Sequence, residues 1–352
     1  MGAGTREGVH EGHLERPIRH AILAGSAVAA VTLLALLGSL GPLTVILVGS
    51  LLYCVTLYVA ARAVEGPRHA MDRLVTGIVT TTFLLAMVPL VSVIWTILSK
   101  GLNRFDVEFF TYSMRGVGVG DTGGAYHAIV GTVITTGIAT LISIPIGLFA
   151  AIYLVEYGNK KALARWLTFF VDVMTGIPSI VAGLFAIGLF TWLLGDESYQ
   201  SGIVGAVALA VLMIPTVVRS SEEMLRLVPN ELREASYALG VSKWLTIAKV
   251  VLPTAIAGLA TGITLAIARV MGETAPLLIT MGAAKAVNFN PFEGSMSALP
   301  LFAYSSYANP GTNKEASIDA AWTAALVLMA LVMALNILAR LITRFFAPKT
   351  GR

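Results

Sequence analysis

The sequence predicts an all-helical polytopic membrane protein, and three observations carry that expectation. The 352-residue chain is 56% hydrophobic and 12% charged with a mean hydropathy of +0.81, more apolar surface than a soluble core of this size can hide. Residues 21–61, 74–99, 128–155, 198–218 and 320–339 contain no Asp, Glu, Lys or Arg, and a helix needs only about 20 such residues to cross the hydrocarbon core. No long alternating polar and apolar pattern accompanies these runs, which excludes an outer-membrane barrel.

The elements follow in order. As one helix the run 21–61 would be about 61 Å long, twice the core thickness. With Gly38, Gly41 and Pro42 at its middle it reads as two spans, 21–38 and 42–61, joined by a tight turn. The alternative is a cleaved leader made of Arg16, Arg19 and 21–38; the run is long for that, and a second span follows at once. Further spans are expected at 74–98, 128–155, 166–194, 200–218, 252–281 and 320–342, which makes eight. Asp172 interrupts 166–194, and Arg269 and Glu273 interrupt 252–281.

Lys and Arg distribution sets the orientation, because positive loops resist translocation. One side carries 18, on the tail to Arg19 and on 62–73, 156–165, 219–249 and 340–352. The other carries Lys100, Arg104, Arg115, Lys285 and Lys314, so both termini are expected in the cytoplasm. The expected organisation is a tail 1–19, a hairpin 20–61, a loop 62–73, a membrane domain 74–345 and a tail 346–352.

Several chemistries are excluded or weak. A net charge of +4 is too small and dispersed for a nucleic-acid surface. The single cysteine, Cys54, lies in an apolar run and reads as packing; no thiolate metal site is available. His10 and His13 read as part of a solvated tail. Gly118, Gly120 and Gly123 match G-x-G-x-x-G without strand–helix context. No Gly-Lys dipeptide occurs, so there is no P-loop, and an ATP-driven step needs a partner. No catalytic site is expected, since no clustered His, Cys or paired carboxylates share a cytoplasmic face.

The strongest signal is the loop 219–249. Pro229-Asn230 reads as a stop and N-cap, with Glu231 in the first turn. Leu232, Ala235, Ser236 and Leu239 repeat at helical spacing, with Glu231, Arg233 and Glu234 elsewhere on the surface, and Gly240 suits the left-handed residue that ends a helix. A second short segment, from Ser242 through Trp244, leads to Leu252-Pro253.

Glu234-Ala235-Ser236, Gly240, Val250 and Leu252-Pro253 together resemble the EAA loop of ABC-importer permeases, with Ser236 in place of the second alanine and Val250 in place of isoleucine. The runs 123–132, 144–147, 151–157, 176–185 and 269–278 are similar to phosphate importer permeases, and Gly272-Glu273-Thr274-Ala275-Pro276-Leu277-Leu278 resembles their A-type subunit. The resemblance implies a six-helix type I importer core with two additional N-terminal helices. It implies that Glu234, Ala235, Ser236, Gly240, Leu252 and Pro253 belong to an ATPase-coupling helix. It also implies three partners: a C-type sister permease, a dimer of ATPase subunits holding ATP and Mg, and an external phosphate-binding protein.

Arg269 and Glu273 read as an i, i+4 pair halfway along their span; intramembrane charges need partners, and a guanidinium matches a phosphate bidentately. Gly272 and Pro276 loosen that helix. Thr175, Pro178 and Ser179 form a polar kink, Arg219 is spaced to pair with Glu223, and Asp172 with Arg165. Arg269, Glu273, Arg219, Thr175 and Ser179 are therefore the pathway candidates. Phosphate import is the leading expectation. Sulfate or molybdate import is the first rival, and ion-coupled transport using Asp172 and Glu273 the second.

Overall fold

The computed structural model describes residues 16–118, 122–158, 161–311 and 313–346. His10, His13, Gly120 and the tail after 346 lie outside them. The chain divides into two compact units, Met1–Trp95 and Thr96–Arg352.

In the first unit, α1 (Arg16–Leu36) and α2 (Pro42–Val64) form the expected hairpin, with Gly38 left-handed in the turn and Pro42 at the start of α2. Ser26 and Thr56 hydroxyls meet across the pair at 3.3 Å. The helix α3 (Pro67–Gly101) begins seven residues before its apolar run, so most of the expected loop 62–73 is helical. Arg73 there pairs with the nearly buried Glu65 at 3.2 Å. Cys54 is buried, its Sγ 3.9 Å from Thr81 Oγ1, in keeping with a packing role.

The second unit opens with the last turns of α3 and the short α4 (Val107–Thr111), which Asp106 caps through the Phe109 amide. Then come α5 (Tyr126–Ile152), α6 (Ala162–Thr175), α7 (Ser179–Leu194) and α8 (Gly202–Arg226). Next are α9 (Asn230–Ala238), α10 (Lys243–Thr246) and α11 (Leu252–Met271). Last are α12 (Ala275–Thr280), α13 (Leu299–Ala308) and α14 (Lys314–Phe346). Wider π turns extend α5 over Tyr153–Tyr157 and join α10 to α11 over Ile247–Val251. The second precedes Pro253, which lacks the N–H that would bond back to Lys249.

Among the described residues seven helices are long and apolar enough to cross a membrane, and α6 with α7 make an eighth element bent by 111°. The core lies between α5, α8 and α11, around Leu209, Met213, Val217, Ala266 and Val270. Met281, Met296 and Ala298 complete it, so part of the connection between the expected spans 252–281 and 320–342 packs into the core.

Two expected spans are corrected. The stretch 166–194 is two helices, because Gly176 ends α6 and Pro178 cannot continue it. The stretch 252–281 breaks at Gly272–Thr274, and α12 starts afresh with Pro276 in its first turn. The two helices of the first stretch are together still apolar enough to pass for one span, so apolar length alone hides that break.

Candidate functional site

Two places in the second unit gather the functional candidates. The first is the helix α9. Gly240 has φ +76°, its amide donates to Tyr237 O at 2.9 Å, and the Val241 amide donates to Ser236 O at 3.2 Å. This pair of bonds satisfies the last carbonyls of α9 and needs a left-handed residue, as the sequence anticipates. At the other end Pro229, not Asn230, stands before the first turn, and Asn230 Oδ1 accepts from Arg233 at 3.2 Å.

Arg233 is no surface residue. Its side chain is 12% exposed, and its Nη atoms donate to Val228 O at 2.6 Å and Leu225 O at 3.0 Å. The Leu225 carbonyl already takes the Val228 amide at 3.4 Å in the last, tightened turn of α8, and the guanidinium adds a second, charged donor there and one for the Val228 carbonyl beyond the helix end. Its Nε reaches Glu156 Oε1 at 3.0 Å, and that carboxylate is 5% exposed at the end of α5. Lys243 donates to the Glu156 carbonyl oxygen and lies 4.6 Å over the Tyr157 ring. Ser236 and Thr246 hydroxyls meet at 2.9 Å in a buried contact. Helix α9 is thus pinned to the ends of α5, α8 and α10 by polar side chains.

Of the stripe read from the periodicity, Ser236 turns inward and the rest faces outward with its neighbour Tyr237. Leu232, Ala235, Tyr237 and Leu239 are exposed, Leu239 at 83%, and so is Glu234. Leu252 is half-buried against Ile247 and Val251, and Pro253 is exposed. The outer face of α9 thus leaves these apolar side chains uncovered in this chain.

The second place is a cleft of about 210 Å³ lined by Thr175, Ile177 and Ser179 of the α6–α7 bend, Leu212, Pro215 and Thr216 of α8, and Arg269 with Glu273. Glycine permits this meeting: a Cβ on Gly183 of α7 would lie 2.9 Å from the Pro276 backbone, so α12 packs directly on α7 and holds Glu273 beside the bend. Arg269 stands in the last turn of α11 and Glu273 past its end, so the two do not share a helical face. No ion pair or hydrogen bond involves either side chain among the described residues, which corrects the expected pair. The cleft therefore presents a guanidinium, a carboxylate and three hydroxyls, uncommitted to one another, in a space with room for a small tetrahedral oxyanion and a few waters.

Arg219 lies nearby but outside the residues that line this cleft. It pairs with Asp172 and, at 2.9 Å, with Glu222, whose other oxygen is 2.6 Å from Arg226. Glu223 and Arg165 are not its partners or those of Asp172, because at i+3 the buried Glu222 shares the face that Arg219 presents. The Arg219–Asp172 pair ties α6 to α8.

Residues 143–352 match the model of the family described as binding-protein-dependent transport system inner membrane component. The phosphate transport system permease protein PstA 1 of Mycobacterium tuberculosis is 45% identical over 287 residues, covering 81% of this chain and 91% of that one. The phosphate transport system permease protein PstA of Pasteurella multocida is 38% identical, over 73% of this chain and 88% of that one. The inward-facing MetNI methionine ABC transporter overlaps 63% of this chain and 95% of its own, with a TM-score of 0.52 at 22% identity, which speaks to the fold alone.

Proposed function

The chain belongs to the family of binding-protein-dependent transport system inner membrane components, multi-pass permeases of ABC importers, and from that premise we propose that its cargo is inorganic phosphate. The cleft that collects Thr175, Ser179, Thr216, Arg269 and Glu273 carries the reading. Arg269 supplies a planar, permanently charged fork for two phosphate oxygens, and the Ser179 hydroxyl donates to another; Thr175 and Thr216 donate to the Asp172 and Leu212 carbonyls and join only by rotating away from them. Glu273 adds selectivity. Phosphate near neutral pH carries an O–H that a carboxylate accepts, whereas sulfate offers acceptors only and would meet Glu273 as a repelling charge.

The partners are a sister permease, two ATPase subunits that hold ATP with Mg, and an external phosphate-binding protein. ATP hydrolysis belongs to the ATPases; this chain positions and gates. Both termini face the cytoplasm, which puts α9 on the ATPase side. Its exposed Leu232, Tyr237 and Leu239 dock there, and closure of the ATPases moves α9 as a unit. Because Arg233 holds the end of α8, that motion reaches Thr216, nine residues or about 14 Å up the same helix. Pro215, buried within α8 next to the cleft, is a natural point for the helix to flex.

The test is uptake of labelled phosphate by phosphate-starved cells lacking this chain, restored with the native form, Gly240→Asp or Arg269→Gln, with sulfate and molybdate as competitors. Native protein is expected to restore ATP-dependent uptake that neither competitor suppresses, Gly240→Asp to insert yet fail, and Arg269→Gln to insert with uptake reduced about tenfold or more. Competition by sulfate or molybdate would reassign the cargo. Uptake that survives Gly240→Asp but collapses with the proton gradient would overturn the ATP-coupled mechanism.

A further inference from the structure

A larger cleft, of about 540 Å³, lies between the start of α6 and the C-terminal part of α8, and no step of the transport reading uses it. Among the described residues three cations line it: Lys161 just before α6, Arg165 in its first turn, and Arg226 from the last turn of α8. Glu222 is the one acid on its wall, 4% exposed, and both its oxygens are already occupied, by Arg219 and by Arg226. Lys161 and Arg165 take part in no ion pair among the described residues, and the first turn of α6 brings no acid to offset them. Thr168 adds a hydroxyl. Arg226 is matched by Glu222, so Lys161 and Arg165 leave the cleft with an excess of positive charge that an anion would complement.

We propose that this cleft is a second anion site, which takes a phosphate group between Lys161, Arg165 and Arg226. The group is carried either by free inorganic phosphate or by a lipid headgroup at the membrane surface. Its position gives it a consequence. Bridging α6 to Arg226, it would brace the two helices whose other parts carry Thr175 and Thr216 of the cargo cleft, three residues before the Pro229 that opens onto α9. It would act alongside the existing tie from Arg219 to Asp172 and Glu222, slowing the relative motion of α6 and α8.

The experiment uses the full chain in phosphatidylcholine nanodiscs, with and without phosphatidylglycerol. All forms carry Arg269→Gln, so that the cargo cleft is silenced; comparison with native protein reports on that cleft separately. Equilibrium binding of labelled phosphate is measured in the lipid-neutral discs. Retention of phosphatidylglycerol is measured by native mass spectrometry in the others. Phosphate binding that falls roughly tenfold or more in Lys161→Gln/Arg165→Gln establishes the site with free phosphate as its ligand. No phosphate binding, but phosphatidylglycerol adducts that the double variant loses, establishes it with the headgroup as ligand. The charge-keeping Lys161→Arg/Arg165→Lys must bind as the parent does, and unchanged elution of both variants on gel filtration excludes misfolding. Absence of both ligands, or equal binding by the Gln variants, overturns the proposal.

Discussion

The C-terminal end and the middle of α8 are built on opposite electrostatic plans. Where α9 meets α8 the ionisable groups of the joint are committed: Arg233 to Glu156, Leu225 and Val228, and Lys243 to the Glu156 carbonyl and the Tyr157 ring. In the cargo cleft Arg269 and Glu273 touch neither each other nor any other hydrogen-bonding group among the described residues. The difference teaches what each place does. A joint that transmits force must not yield, so its polar groups satisfy one another, whereas a site that takes and releases an ion keeps its groups available.

The contrast breaks most sharply at Arg233. Removing it leaves Glu156 charged and buried, and the loss of one partner of a buried pair costs about 3–5 kcal/mol. Arg233→Ala should therefore lower the melting temperature of the purified chain and abolish uptake. Arg233→Met with Glu156→Leu should recover much of the stability, since an apolar replacement of a buried pair is often neutral. A melt of Arg233→Ala equal to the native one would show the pair to be slack.

Arg269→Gln tests the other pole. It breaks no bond in the structure, so the melt should be unchanged, while the loss of one charge-assisted hydrogen bond to the cargo, about 1.5–3 kcal/mol, weakens transport about tenfold to a hundredfold. Glu273→Gln should keep phosphate uptake nearer to native but admit sulfate as a competitor, read directly in the uptake assay. A variant here that destabilises the fold would mean that the cleft, like the joint, is structural.

Gly240→Ala lies between these extremes. No atom crowds a Cβ there, so the penalty is that of the left-handed backbone alone, about 1 kcal/mol. Chemical denaturation should show a small loss of stability, with uptake reduced and not lost.

These positions also mark what the sequence discloses. Spans, hairpin and the Gly240 turn are legible because each follows from local chemistry: length without charge, Gly and Pro at a midpoint, one residue able to turn left-handed. Arg233 is not legible, since its partner Glu156 lies 77 residues away and a charged residue on a short helix ordinarily faces water. Periodicity likewise finds the Leu232–Leu239 stripe but cannot say that Ser236, not the leucines, turns inward. Thr175, Ser179, Arg269 and Glu273 are each readable as unusual in apolar runs. Their common cleft is not, because it depends on how the chain turns at two helix breaks, and Thr216 joins it with no local signal at all.

The smallest effect is expected where this chain departs from the EAA pattern it resembles. Ser236 occupies the place of the second alanine, and its hydroxyl meets Thr246 in a buried contact of 2.9 Å. Ser236→Ala removes that bond, but Thr246 Oγ1 still donates to Ser242 O at 3.2 Å and so is not orphaned. Deleting one partner of a neutral bond whose other member keeps an acceptor costs at the low end of the range, about 0.5–1 kcal/mol. The melt should shift by only a few degrees, and uptake should stay near native because Arg233 still holds the joint. Combining Ser236→Ala with Arg233→Lys measures the coupling directly: Lys keeps the charge but lacks the fork that reaches Leu225, Val228 and Glu156 together. If the two losses add, the hydroxyl and the guanidinium anchor α9 independently; if the double variant is much worse than their sum, they form one clamp.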